Sequence, residues 1–98
     1  MAEIRWTEEA LRRLQDIYNY IAEDNPVIAH KVIKEIYDRA QILHRFPQIG
    51  HTYRCESDGE IRILLYGHYR IAYLLKPTGA VDILGVFHGS LDIDRYLP

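Results

Sequence analysis

The chain has 98 residues, which is enough for one domain with a sizeable core but not for two, so we expect a single domain over residues 1–98. With 12 basic and 14 acidic residues, its formal net charge of -2 argues against broad electrostatic binding to nucleic acid but allows a small local basic site. Cys55 is the only cysteine, which excludes an intramolecular disulfide and a zinc site built from cysteines.

The N-terminal region predicts a short strand followed by an amphipathic helix. Residues 2–6 place Ile4 and Trp6 on the same side of the strand. Thr7 is a suitable N-cap for a helix that should end near Glu23. The first residues lack the apolar core of a signal peptide, and no apolar run in the chain is long enough to span a membrane, so we expect a cytoplasmic protein. The apolar stripe of the helix comprises Ala10, Leu11, Leu14, Ile17, Tyr18, Ile21 and Ala22.

A second helix is predicted after Asn25-Pro26, because asparagine is a good cap and proline fits the first helical position. It should run over residues 27–45, where Phe46-Pro47 stops it. Two amphipathic helices with so short a connection should pack antiparallel, as a hairpin on one face of a sheet. The buried stripe of this helix comprises Ala29, Val32, Ile33, Ile36, Tyr37, Ala40 and Leu43.

The second half of the chain predicts a loop and three strands. Residues 48–59 are polar and carry no regular pattern, so we expect a loop there. Three apolar runs follow, and their β-branched and aromatic residues suit a pleated sheet; they span residues 61–66, 69–75 and 81–87. The turns between them are short, so the strands should form an antiparallel meander. The tail after Gly89 could form one helical turn through Tyr96.

Two arginines, Arg62 and Arg70, lie inside these apolar strands, where an unpaired charge is costly. If Gly67-His68 is a strict two-residue turn, Arg62 lies opposite Tyr73 and Arg70 faces the other side of the sheet. If the turn contains a bulge, both arginines share one face, because a shift of one residue inverts the facing. Either register is compatible with the sequence.

The predicted element order is β-α-α-loop-β-β-β, an α+β fold. It consists of an N-terminal strand and an antiparallel helical hairpin packed on an antiparallel β-meander. The order and several segments together resemble the RelE/ParE superfamily of small bacterial toxins. The similar segments are WTEEALRRLQDIYNYIAEDNP at the start, FPQIGH after the second helix, and EIRILL, YRIAYLL and ILGVFHG in the meander.

This resemblance implies the toxin of a type II toxin–antitoxin pair, a protein often described as a plasmid stabilization protein. Such a toxin is held inactive by a small antitoxin, here expected to be ParD-like. RelE-like members cut messenger RNA in the ribosome, whereas ParE-like members bind and poison DNA gyrase without being enzymes. The helical hairpin at Asn25-Pro26 and the ending VFHG are more similar to the ParE side. His30, His44 and His51 have no metal-like spacing and lack a carboxylate or cysteine partner set, so we expect no metal, and we expect no cofactor.

A metal-free ribonuclease needs a base, an acid and cations around the phosphate. Glu60 and His68 are further candidates for the base or acid, and the main set would be Arg62, Arg70, His88 and Tyr96. The resemblance places Arg70 where RelE-like nucleases keep an arginine that contacts phosphate. However, this chain has Ser90-Leu91 where nucleases and many ParE-like members carry further basic residues.

Structural roles compete with these functional ones. Arg70 is expected to pair with Asp82 or Asp92, or to be held by the antitoxin, and His88 to cap a strand end through a hydrogen bond. An antitoxin segment is also expected to lay its apolar residues over the helical hairpin or the sheet rim, because the apolar residues on the second face of the sheet need a cover that one short tail does not provide.

From this resemblance we therefore expect a ParE-like toxin that inhibits DNA gyrase by binding and has no catalytic residues of its own. Its target-binding surface would combine residues 48–59 with the end of the meander and the tail, including Arg62, His88 and Tyr96. One alternative is a RelE-like, ribosome-dependent endoribonuclease that uses Arg62, Arg70, His88 and Tyr96. Another is a disarmed toxin, which Ser90-Leu91 would explain.

Overall fold

Two helices and five strands build the fold in the computed structural model, which describes residues 2–98. The elements are β1 (Ile4–Trp6), α1 (Glu8–Ala22), α2 (Pro26–Ala40), β2 (His51–Glu56), β3 (Gly59–Tyr66), β4 (Tyr69–Leu75) and β5 (Val81–His88). Short 3-10 helices lie at Gln41–His44 and at Ile93–Arg95. Among residues 2–98, neither helix has the length and apolar character that crossing a bilayer requires.

The helical hairpin begins at the two predicted caps. The Thr7 hydroxyl accepts a hydrogen bond from the Ala10 N–H at 3.2 Å and donates one to the Ile83 carbonyl at 2.7 Å, which ties the start of α1 to β5. The Asn25 side chain accepts from the Ile28 N–H at 3.1 Å, and Pro26 is the first residue of α2. The second helix was expected to continue to residue 45, but its last turn tightens into the 3-10 helix at Gln41–His44.

The sheet has the strand order β1-β5-β4-β3-β2. Strands β2 to β5 are antiparallel neighbours, as expected for a meander, and β1 adds parallel to β5 with Ile4 opposite Val81. The sheet is therefore mixed, and the long connection that a parallel pair requires runs from β1 through the helical hairpin and strands β2 to β4 before it reaches β5. The predicted α+β fold is confirmed.

The prediction of a loop over residues 48–59 is wrong for its larger part. His51–Glu56 forms β2, which pairs antiparallel with β3 and has a bulge at Tyr53. This edge strand is mostly polar and contains no buried residue, so it lacks the apolar alternation that identifies a half-buried strand. Its pairing depends on a tight turn at residues 57–58, which ends at Gly59 with a φ of 145°.

The turn between β3 and β4 settles the register. Tyr66 pairs with Tyr69 and Arg62 pairs with Tyr73, so the loop has two residues. Its first residue, Gly67, has a φ of 54°, which glycine adopts without strain. Arg62 and Arg70 consequently lie on opposite faces of the sheet.

The two faces have different covers. Helices α1 and α2 cover one, which we call the helix-covered face; its core comprises Ala10, Leu14, Ile36, Ala40, Leu43, Leu64, Ile71, Tyr73, Leu75, Val81, Ile83 and Val86. The tail covers the other, which we call the tail-covered face; its core comprises Ile61, Ile63, Ala72, Leu74, Phe87, Ile93 and Leu97. The expectation that a short tail could not cover this face is wrong, because Ile93 and Leu97 are both buried against it.

Candidate target-binding surface

Arg62 lies on the helix-covered side of β3, and its guanidinium is engaged within the molecule. It forms an ion pair with Glu60, two residues earlier on the same strand. It also donates to the carbonyl of Gln48 at 2.9 Å and to that of Gly50. The Arg62 side chain is only 16% exposed. Little of this cation is available to a partner, and its contacts hold the chain segment that precedes β2.

Arg70 lies on the tail-covered face and has no carboxylate partner among residues 2–98. Its terminal nitrogen donates to the Leu91 carbonyl, and its Nε is buried without a hydrogen-bond partner. The predicted pairing with Asp82 or Asp92 is wrong. Asp82 instead binds Arg5 at 3.1 Å and Lys76 at 3.0 Å, because β1 and the turn after β4 bring these two cations to it.

His88 ends β5 beside the tail. Its Nδ1 accepts from the Ser90 N–H at 3.2 Å and lies 2.8 Å from the Ser90 hydroxyl oxygen, so the ring caps the strand end as expected. The His88 ring stacks on His68 with 6.1 Å between centroids, and Tyr69 meets it edge-on at 5.8 Å. These contacts leave the residue exposed at the end of the sheet.

Tyr96 belongs to the tail, directly after the 3-10 helix at Ile93–Arg95. Its ring stacks on Phe87 with 5.8 Å between centroids. The Arg13 guanidinium reaches from α1 and lies 4.3 Å from the centroid of the Tyr96 ring, within range of a cation–π interaction. Tyr96 therefore has its ring partly packed and partly presented to solvent.

The four candidate nuclease residues do not converge on one site. Arg62 and His88 belong to the helix-covered side, whereas Arg70 and Tyr96 belong to the tail-covered side. Arg62 is level with Tyr73 and His88 is level with Tyr69, so even this pair is separated by four residues of β4, about 13 Å along the strands. Arg70 pairs with Phe87, the residue before His88, and Tyr96 stacks on Phe87, so Arg62 is the member of the set that is separated from the others along the strands.

An apolar groove that the sequence did not indicate runs between α1 and the end of the meander. Its volume is about 470 Å³, and its apolar walls include Ile17, Tyr20, Tyr69, Val86 and Leu91. Burial raises the pKa of the Tyr69 phenol, so this tyrosine stays neutral near pH 7. Tyr20 is 78% exposed. A large aromatic residue outside the apolar stripe of α1 was the available signal for this groove.

Metal chemistry finds no support in the side-chain arrangement. Within residues 2–98, no group of three or more histidine, cysteine or carboxylate side chains is placed to hold a metal ion. The stacked pair His68 and His88 lacks a third ligand of this kind.

Comparisons with known proteins identify the chain as similar to toxins. The model of the ParE toxin of the type II toxin–antitoxin system parDE matches residues 4–93. The candidate toxin Y4kP of Sinorhizobium fredii is 38% identical over 85 residues, which cover 87% of this chain and 85% of that protein.

Two solved structures share the fold. A chain of the chromosomal ParDE toxin–antitoxin system from P. aeruginosa superposes with a TM-score of 0.70 at 23% identity, covering 90% of this chain and 96% of that chain. A chain of the toxin–antitoxin complex RelBE2 from Mycobacterium tuberculosis gives a TM-score of 0.59 at 27% identity, with coverages of 89% and 96%. On the extent of the family match and the identity to Y4kP, this chain belongs to the ParE toxin family of type II toxin–antitoxin systems, within the RelE/ParE superfamily.

Proposed function

We propose that this toxin arrests growth by binding DNA gyrase and that a small ParD-like antitoxin neutralises it. Membership of the ParE family supports this target over the ribosome. The observation that carries the proposal is that Arg62 is engaged by Glu60 and by the carbonyls of Gln48 and Gly50, and lies on the opposite face of the sheet from Arg70, so the two arginines do not converge on one phosphate. Without two arginines at one phosphate position, the surface is better suited to binding than to cleaving RNA.

The proposed target-binding surface contains the sequence-predicted residues Arg62, His88 and Tyr96. His88 and Tyr96 offer aromatic rings that are fixed by stacking and still reach solvent. Rings held in one orientation lose little conformational entropy on binding, which is why aromatic residues dominate many interfaces. Arg62 is the least accessible member of the set.

The antitoxin is proposed to occupy the groove between α1 and the end of the meander. The family that matches this chain consists of toxins from the toxin–antitoxin system parDE, and the RelBE2 structure is a toxin–antitoxin complex. The groove offers an exposed apolar wall with Tyr20 and Leu91 at its rim, which fits a segment that folds on binding and buries apolar side chains.

Induction of the chain alone in bacteria tests the target. We expect a DNA-damage reporter to rise while incorporation of labelled amino acid continues, and we expect the purified chain to inhibit supercoiling by purified gyrase. His88→Ala combined with Tyr96→Ala should weaken both effects, whereas His30→Ala, at an exposed histidine on α2, should not. Co-expression of a neighbouring small gene with a ribbon-helix-helix pattern should restore growth. Loss of amino-acid incorporation before any reporter signal would instead favour the ribosome-dependent nuclease. No effect in any of these assays would indicate a disarmed toxin.

A further inference from the structure

A tight turn at residues 46–49 connects the helical half of the chain to β2. The Ile49 N–H donates to the Phe46 carbonyl at 3.1 Å, and Pro47 occupies the second position, where its fixed φ suits a β-turn. The Phe46 N–H donates in turn to the Ile42 carbonyl at 2.9 Å, so the turn continues directly from the 3-10 helix. Its local hydrogen bonds define one conformation.

Two side chains of the sheet bind the backbone of this turn and of Gly50, which follows it. The buried Tyr73 hydroxyl donates to the Pro47 carbonyl at 2.7 Å and accepts from the Gly50 N–H at 3.0 Å. Burial raises the pKa of Tyr73, which keeps the hydroxyl protonated and able to do both. Arg62 donates to the carbonyls of Gln48 and Gly50. A turn whose backbone is bonded at so many points loses little freedom when it binds a partner.

Glycine at position 50 permits this close contact. A Cβ there would lie 2.7 Å from the Ile63 carbonyl oxygen and 2.7 Å from the Tyr73 hydroxyl oxygen. Real Cβ atoms do not approach backbone oxygen so closely, so any larger residue would push the turn away from the sheet.

Although its backbone is fixed, the turn presents apolar side chains to solvent. Phe46 is 53% exposed and Ile49 is 47% exposed. The Arg45 guanidinium lies 5.8 Å from the centroid of the Phe46 ring and makes no ion pair within residues 2–98. We call Arg45, Phe46 and Ile49 the turn tip. It combines an aromatic ring, an aliphatic side chain and an unpaired cation on a rigid support.

We propose that the turn tip inserts into an apolar pocket on DNA gyrase that has a carboxylate at its rim. This inference rests on the function proposed above and adds the turn tip to the residues proposed there to contact gyrase. A protein pocket fits better than nucleic acid, because two apolar side chains accompany a single cation. A second copy of the chain fits poorly, since a symmetric contact between two tips would bring the Arg45 charges together.

The test measures binding to purified gyrase by the chain that carries Phe46→Ser and Ile49→Ser. We expect affinity to fall about thirtyfold or more, as for the loss of a binding hot spot. Val27→Ser is the matched control, because Val27 is an exposed aliphatic residue at the start of α2, away from the turn. Arg45→Glu is a second variant that alters no packed side chain; it should weaken binding by about tenfold through repulsion from the carboxylate. Circular dichroism and thermal unfolding establish that each variant is folded.

The outcomes separate the two proposals. If the turn-tip variants are folded but bind gyrase as tightly as the original chain, this inference is overturned while gyrase remains the target. If the original chain arrests growth without binding gyrase, the proposed target and this inference are both wrong. A chain that neither arrests growth nor binds gyrase overturns both.

Discussion

The helix-covered face and the tail-covered face belong to the same sheet but are covered by chain segments of very different length. Two helices of 15 residues each lie over the first, and each begins at a side-chain cap. The second is covered by the tail after β5, whose only regular element is a 3-10 helix of three residues. Ile93 and Leu97 are the buried tail residues of that core.

This difference shows how one sheet can serve as a scaffold on one side and as an adaptable surface on the other. Caps and helical hydrogen bonds stabilise the helical hairpin in addition to its packing. The tail depends on its contacts with the sheet, such as the Tyr53 hydroxyl with Asp94, Arg54 with the Pro98 carbonyl and Arg70 with the Leu91 carbonyl. Segments with few buried contacts open at low free energy, so the tail should open before the helices do.

The largest effect should come from the helix-covered core. Ile36 is fully buried between α2 and the sheet, so Ile36→Ala should lower the free energy of unfolding by about 2–5 kcal/mol, through lost burial and a residual cavity. Urea unfolding followed by circular dichroism measures this loss. Val27→Ala on the same helix, at a residue that is 76% exposed, should change it by less than about 0.5 kcal/mol. Equal effects at the two positions would contradict the assignment of the core.

A smaller effect is expected from the tail. Ile93→Ala should cost about 2 kcal/mol, at the lower end of the range for such substitutions, because a short tail can settle onto the sheet and reduce the cavity. Amide exchange should accelerate at residues 91–98 and leave α1 and α2 protected. If exchange accelerates equally in the helices, the tail is part of the same cooperative unit as the hairpin and the two faces are not independent.

The features that the sequence predicted correctly are those determined by residues close together in the chain. Thr7 and Asn25-Pro26 start the helices because a cap depends on residues within one turn. The meander strands followed from apolar runs and short turns. Strand β2 was missed because its partner, not its own pattern, makes it a strand. The parallel pairing of β1 with β5 joins residues about 77 positions apart, for which no local signal exists.

Long-range contacts also limited the prediction of the candidate site. The residues Arg62, Arg70, His88 and Tyr96 could be selected by type, but their facing depended on the turn at Gly67-His68. The partner of Arg70 is the backbone carbonyl of Leu91, which no side-chain pattern can indicate. The groove beside Tyr20 arises from the packing of α1 against the meander, a long-range arrangement of the same kind.

The smallest effect on stability is expected at Asp82, on the tail-covered side where β5 pairs with β1. We call this place the corner of the tail-covered side; ion pairs take the place of apolar contacts there. Asp82 is opposite Leu74, is buried and binds Arg5 and Lys76. The hydrogen bond from Arg5, helped by Lys76, holds the pKa of Asp82 below its ordinary value of 3.8, although burial opposes the shift. Asp82→Asn should lower the free energy of unfolding by about 1 kcal/mol at pH 7, because an amide replaces a charge-assisted acceptor.

The same carboxylate predicts how stability depends on pH. Since its pKa is lower in the folded chain, its contribution is complete above the unfolded-state pKa near 3.8 and disappears as the pH falls through the folded-state value. We call the decrease in the free energy of unfolding at low pH the acid limb. Urea unfolding between pH 7 and pH 3 should therefore show a shallower acid limb for Asp82→Asn than for the original chain. Glu9→Gln is the matched control: Arg12 lowers the pKa of Glu9 too, but water screens that exposed pair on α1, so the acid limb should change less. If Glu9→Gln flattens the acid limb more than Asp82→Asn does, acid sensitivity lies on the outer surface of the hairpin and not at the corner of the tail-covered side.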